Sequence, residues 1–157
     1  MPRASESLAL VPLIESANYG SAGIDTDSVN TGRLHSLTAV FVFGAITANS
    51  ILKVYSGAAA AAKTTALAFK YRLGAADYKS ATADQFGAAT SVASTGLTLT
   101  ATTYDHRMLA VSIDSDQMTD GEKWLTFEID ATATTMNVGA VGIGVPRYPG
   151  NLIPSVI

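Results

Sequence analysis

One pattern governs residues 36–157: short runs in which apolar and polar residues alternate, each closed by a turn of small residues. Residues 35–44, 50–57, 65–74, 96–102, 106–114, 123–130 and 135–145 all follow it. Alternation of period two places one face of a strand in a core, and no run carries the 3.6-residue period of a helix. Seven or eight such runs with two long connections predict an all-β fold. The expected form is an antiparallel β-sandwich of jelly-roll or Greek-key type.

The runs also assign faces. In 37–43, Ala39, Phe41 and Phe43 share one side and Val40 and Val42 the other, which predicts a strand apolar on both faces, central or beneath a partner. Leu52 and Val54 point inward in the next run. Leu67, Phe69, Tyr71 and Leu73 share a face opposite Lys70 and Arg72. Leu109, Val111 and Ile113 define another inward face, and Leu125, Phe127 and Ile129 a further one, opposite Trp124, Thr126 and Glu128. The expected core is Phe41, Phe43, Leu52, Val54, Phe69, Tyr71, Leu109, Val111, Phe127 and Ile129. In 138–145, Gly139, Gly142 and Gly144 alternate with Val141, Ile143 and Val145 and read as strand glycines that allow close packing.

The connections are read by their breakers. Residues 8–14 are apolar but interrupted by Pro12, which fits an edge strand or an extended segment. Residues 16–33 read as a long loop anchored by Ile24 and Val29. The alanine run of 57–63 is too short for an isolated helix in water and reads as a turn. Residues 77–95 read as a polar stretch with Tyr78, Phe86 and Val92 as anchors. Residues 1–15 are thus an N-terminal arm or edge segment, 16–145 a single β-sandwich domain, and 146–157, with Pro146, Pro149 and Pro154, an extended C-terminal arm.

Charged residues make up 15% of the chain, against roughly 25% in an average soluble protein. Such a surface suits a protein covered by neighbours, and also an extracellular β protein. The net charge is −3 without a basic cluster, so a nucleic-acid partner is not expected. No run approaches ~18 apolar residues, so no membrane partner is expected either. Residues 1–7 lack the apolar stretch of a secretory signal. With no cysteine in the chain, disulfides and thiolate metal sites are excluded, which favours assembly in a reducing cytoplasm.

Nothing in the sequence assembles a catalytic constellation. His35 and His106 each open a strand pattern, the bland setting for a histidine, and have no recognisable zinc partners. Residues 20–23 lack the spacing of a nucleophile elbow. The glycines of 139–144 are in the wrong order for a nucleotide loop, with Pro146 behind them. Asp25 and Asp27 in the first loop, and Asp114, Asp116, Asp120 and Glu122 around one turn, are carboxylates of the kind that ligate calcium. Neither group matches an EF-hand, and turn chemistry explains both. No metal, cofactor or catalytic residue is expected.

Interface residues are the remaining candidates. Trp124 falls on an outer face, where tryptophan marks contact surfaces unless a loop covers it. In the C-terminal arm, Tyr148, Leu152, Ile153, Val156 and Ile157 form an apolar end that would be a liability if left exposed. It is expected to lie against the domain's own sheet, a sister subunit or a shell, with the intersubunit contact preferred.

Four segments carry a family resemblance: Phe69-Lys-Tyr-Arg-Leu-Gly-Ala-Ala-Asp-Tyr78, Gly96-Leu-Thr-Leu-Thr100, Leu109-Ala-Val-Ser-Ile-Asp114 and Met118-Thr-Asp-Gly-Glu-Lys-Trp-Leu125. Over residues 69–86 and 104–130 the chain resembles the head decoration, or cement, proteins of tailed bacteriophages. The resemblance implies a non-enzymatic virion structural protein, a β-sandwich that binds the major capsid protein and reinforces the shell at the capsid surface after assembly in the host cytoplasm. It transfers no catalytic residue. A homo-oligomer, with a trimer favoured, fits the local three-fold positions of such shells. The alternatives are a carbohydrate-binding or host-adhesion β-sandwich module, which would present coplanar aromatics, and a hydrolase on a jelly-roll scaffold.

Overall fold

Alternation along the chain becomes two antiparallel sheets packed face to face. The structure, a computed structural model, describes residues 7–79, 85–132 and 134–148. Its strands are β1 (Ala9–Asn18), β2 (Ile24–Asp25), β3 (Val29–Asn30), β4 (Leu34–Ile46), β5 (Ser50–Gly57), β6 (Thr65–Ala66), β7 (Phe69–Leu73), β8 (Thr90–Val92), β9 (Leu97–Leu99), β10 (Met108–Asp114), β11 (Trp124–Ile129) and β12 (Met136–Pro146). Among the described residues, one α-helical turn, α1 (Ala101–Tyr104), precedes β10.

The larger sheet has the order β1-β12-β4-β10-β7-β8. The smaller has β2-β11-β5-β6, with β3 also on β11 and β9 also on β5. The pairings are nested. β1 pairs with β12, β2 and β3 with β11, β4 with β10, β5 with β9, and β7 with β8. The chain therefore wraps as one long folded-over ribbon whose bend lies between β7 and β8.

Phe41, Phe43, Leu52, Val54, Phe69, Leu109, Val111, Phe127 and Ile129 are all at most 2% exposed, as their alternation requires. Phe41 of the larger sheet meets Phe127 of the smaller one edge to face, with ring centroids 5.6 Å apart, and stacks on Phe43 at 6.2 Å. Tyr71 departs from the expected core. It is only partly buried and sits at the rim, packed against the cluster. Burial raises the pKa of the nearby Tyr104 phenol, and the hydrogen bond to Tyr71 adds to the rise.

Several sequence boundaries move. Residues 16–33 are not one loop. β1 continues to Asn18, and β2, β3 and a 3₁₀ turn (Thr31–Arg33) follow, with Val29 fully buried. Pro12 does not end β1, because β1 is an edge strand whose ladder on β12 shifts register between Pro12 and Ile14. The alternating run 65–74 is divided between sheets. Thr65 and Ala66 pair with β5, Phe69–Leu73 pair with β10, and buried Leu67 makes the corner, its N–H bonded to the Val54 carbonyl.

In the second half of β12 two glycines face inward. Gly142 and Gly144 are buried while Val141 and Val145 lie on the outside. A Cβ on Gly144 would lie 2.8 Å from the Cδ1 of Leu34. Side chains of the neighbouring β4, Leu34 and Leu37, fill the space that β12 leaves.

Candidate functional site

Each sheet turns one face away from the core, and the two outer faces differ in chemistry. On the smaller sheet, register sets charges side by side. Glu128 of β11 stands opposite Lys53 of β5 on one flank and Asp25 of β2 on the other. Lys53 Nζ lies 3.0 Å from Asp130 and 3.5 Å from Glu128. Lys63, from the turn after β5, bridges Glu128 and Asp25, its Nζ 5.8 Å from the centre of the Tyr55 ring. Direct cross-strand pairs of opposite charge stabilise a sheet modestly.

The hydrogen bond to Asp130 raises the pKa of Lys53 despite partial desolvation, and the bond to Glu128 does the same for Lys63. A lysine whose folded pKa is raised stabilises the fold below its ordinary value and loses that contribution as pH climbs through the folded value. The variant carrying Lys53→Met and Lys63→Met should therefore melt a few degrees below the parent at neutral pH. The gap should hold to the ordinary lysine value of 10.5 and close above it. A gap that widens at alkaline pH would contradict the assignment.

The acidic groups are engaged in folding. Asp25 serves Lys63. Asp114 and Gln117 form a reciprocal capping box around the 3₁₀ turn Ser115–Gln117. The Glu122 carboxylate accepts from the fully buried Ser56 hydroxyl and, at 3.0 Å, from Thr65. Gly121 takes a φ of +83°, as the Asp120-Gly121 turn demands. Among the described residues no three His, Cys, Asp or Glu side chains are placed to hold a metal. His35 is exposed near the start of β4. His106 lies just before β10 at a φ of +52°, its Nε2 2.8 Å from Lys79 Nζ and its ring edge-on to Tyr78.

Trp124 opens β11 opposite Asn30 and Gly57. It is half-buried and lines a shallow groove with Asp27, Ser28, Ala60 and Ala61. Ala60 and Ala61 of the turn after β5 thus flank the groove beside the ring. Tyr148 is 67% exposed. Leu152, Ile153, Val156 and Ile157 lie outside the described residues, so the chain is followed only to the root of its C-terminal arm.

On the larger sheet the outer face is apolar. One row across it runs Pro12, Val141, Val40 and Ala110, and the next runs Leu10, Ile143, Thr38 and Ser112. Leu10 is 59% exposed, Val145 42%, Val42 40% and Val141 39%. Neither β4 nor β12 contains a Lys, Arg, Asp or Glu, and β10 has only the terminal Asp114. Positive charge appears only at β7, with Lys70 and Arg72. The sequence showed the apolar second face of β4 in Val40 and Val42. It did not show that Val141 and Val145 would extend that face, because which side of a Gly-alternating strand faces out depends on its neighbour.

Comparison with known protein families, with curated protein sequences and with solved structures finds no match to this chain.

Proposed function

We propose that the chain is a non-enzymatic structural protein of a tailed-bacteriophage head, binding the major capsid protein and reinforcing the shell as a homo-oligomer. The observation that carries this reading is the outer face of the larger sheet, which has no Lys, Arg, Asp or Glu across β12 and β4. Exposed Leu10, Val42, Val141 and Val145 suit a protein that neighbours cover. The nested strand pairing supports a jelly-roll wrap, the finer form of the sandwich expected from the sequence. Repetition over a shell adds avidity to individually weak contacts. The resemblance of residues 69–86 and 104–130 to decoration proteins points the same way.

The test is co-sedimentation of the purified chain with phage heads that lack a decoration protein. Saturable binding, followed by slower heat- or chelator-induced rupture of the heads, is the expected result. Failure to bind heads at any concentration tested would reject the reading.

A second reading rests on Tyr78 and Phe86, whose rings are 45% and 40% exposed beside the β7–β10 end of the larger sheet. Aromatic faces of this kind bind sugars in a carbohydrate-binding module. The Tyr78 hydroxyl, however, donates to the Phe43 carbonyl at 2.7 Å, which fixes the ring as part of the fold. Glycan binding that Phe86→Ala abolishes, without effect on head binding, would favour this second reading.

A further inference from the structure

We infer that the apolar outer face of the larger sheet is the docking surface for the C-terminal segment, residues 149–157, of a second copy of this chain. The inference rests on the reading of the protein as an assembly component and names the neighbour that covers its exposed face. Three observations carry it.

The first is chemistry. Across β4 and β12 the face has no Lys, Arg, Asp or Glu, and residues 149–157 have none either, while presenting Leu152, Ile153, Val156 and Ile157. An uncharged apolar strip matches an uncharged apolar face and loses no hydrated charge on docking.

The second is size. Four strands at ~4.8 Å spacing and about seven residues in length give a face of roughly 450 Å². Two such faces pressed together fall short of the ~800 Å² per partner of a stable interface. Nine extended residues span about 30 Å and cross the whole face, so the segment supplies contact that face-to-face packing lacks.

The third is direction. β12 pairs with β4 as far as Pro146 opposite Leu34, and the Arg147 N–H continues the ladder by donating to the Arg33 carbonyl at 2.8 Å. The Arg147 side chain then fastens the chain there, with Nε 2.9 Å from the Leu34 carbonyl and Nη2 2.9 Å from Ser115 Oγ. Leu34 is where β4 begins. The chain therefore leaves along the strand axis, past the end of its own sheet, and Tyr148 is already 67% exposed. Covering its own face would require the chain to reverse, whereas continuing forward delivers the segment to a neighbour.

The test uses the full chain in two variants, Val141→Asp on the face and Ile153→Asp in the segment, followed by sedimentation velocity over a concentration series without phage heads. The parent should self-associate. Each variant should weaken association about tenfold or more, since a carboxylate would lose its water on docking. An equimolar mixture of the two should recover association, because the intact segment of the first fits the intact face of the second. A monomeric parent would overturn the inference, and so would a mixture no better than its components, which would mean face-to-face packing or another surface. If Val141→Asp fails to fold by circular dichroism, Val42→Lys on the same face replaces it. Head binding that persists in a monomeric parent would overturn this contact alone and leave the shell-binding reading standing.

Discussion

Replacing Phe127 by alanine should lower stability by about 3–5 kcal/mol, the usual cost of emptying a buried aromatic site. Phe127 is fully buried in β11 and meets Phe41 edge to face across the sandwich, and Phe41 stacks on Phe43. The ring is therefore one of the smaller sheet's contacts with the larger one. Both sheets are held in place by long ladders, β4 by β12 and β10, and β11 by β5. The cavity left by Phe127→Ala has no easy way to collapse. For a domain of this size the loss corresponds to a fall in melting temperature of roughly 10 °C. Leu97→Ala, at a partly buried position packed against the core, should cost distinctly less. Thermal melts followed by circular dichroism check both. Equal small shifts would mean that the sheets are not packed through Phe127.

Replacing Gly57 by alanine should cost about 1–3 kcal/mol through a backbone clash. The added Cβ would fall on the Ala62 carbonyl oxygen and lie 2.8 Å from the Ala62 Cβ. Backbone cannot rotate aside as a side chain can, so the alanine turn has to lift away. That turn lines the groove beside Trp124, the only tryptophan in the chain. Gly57→Ala should therefore shift the tryptophan emission to the red as well as lower the melting temperature. Gly121→Ala is the control. Gly121 has a φ of +83° but nothing within 4 Å of its missing Cβ. The substitution should cost only the left-handed strain of about 1–2 kcal/mol and leave the emission unchanged. A red shift of the same size in both variants would contradict the coupling between the turn and the indole.

These two sites show what was legible in the sequence. Phe127 was readable because period two binds a residue's face to that of its neighbours, and Leu125, Phe127 and Ile129 had to point the same way. The same logic found Phe41, Phe43, Leu109 and Val111. It overreached at Tyr71, where alternation gives the face but not the distance from the sheet's rim. It also gave no sign of the sheet change at Leu67, since a strand that crosses from one sheet to the other keeps its alternation. Residues 16–33 lacked a readable strand signal because β2 and β3 are two residues each and exist only by pairing with β11. For the surface, the Lys53–Glu128–Lys63 ladder was not legible. Those residues are far apart in sequence, and only the register of β5, β11 and β2 aligns them. The apolar outer face was half visible, in β4, and completed only when β12 took its place beside it.

The nested pairing has a consequence for how the protein is made. β1 precedes the other described strands along the chain, yet its ladder partner is β12, with Ala9 opposite Gly144. β12 also lies between β1 and β4, so a strand made more than a hundred residues later is what joins β1 to the rest of the larger sheet. While synthesis continues, β1 has no edge to join and the outer flank of β4 is bare. Contacts this distant in sequence close late and place the chain among the slower-folding β proteins, in the range of milliseconds to seconds. A nascent chain stalled before residue 136 therefore lacks the strand that joins β1 to β4.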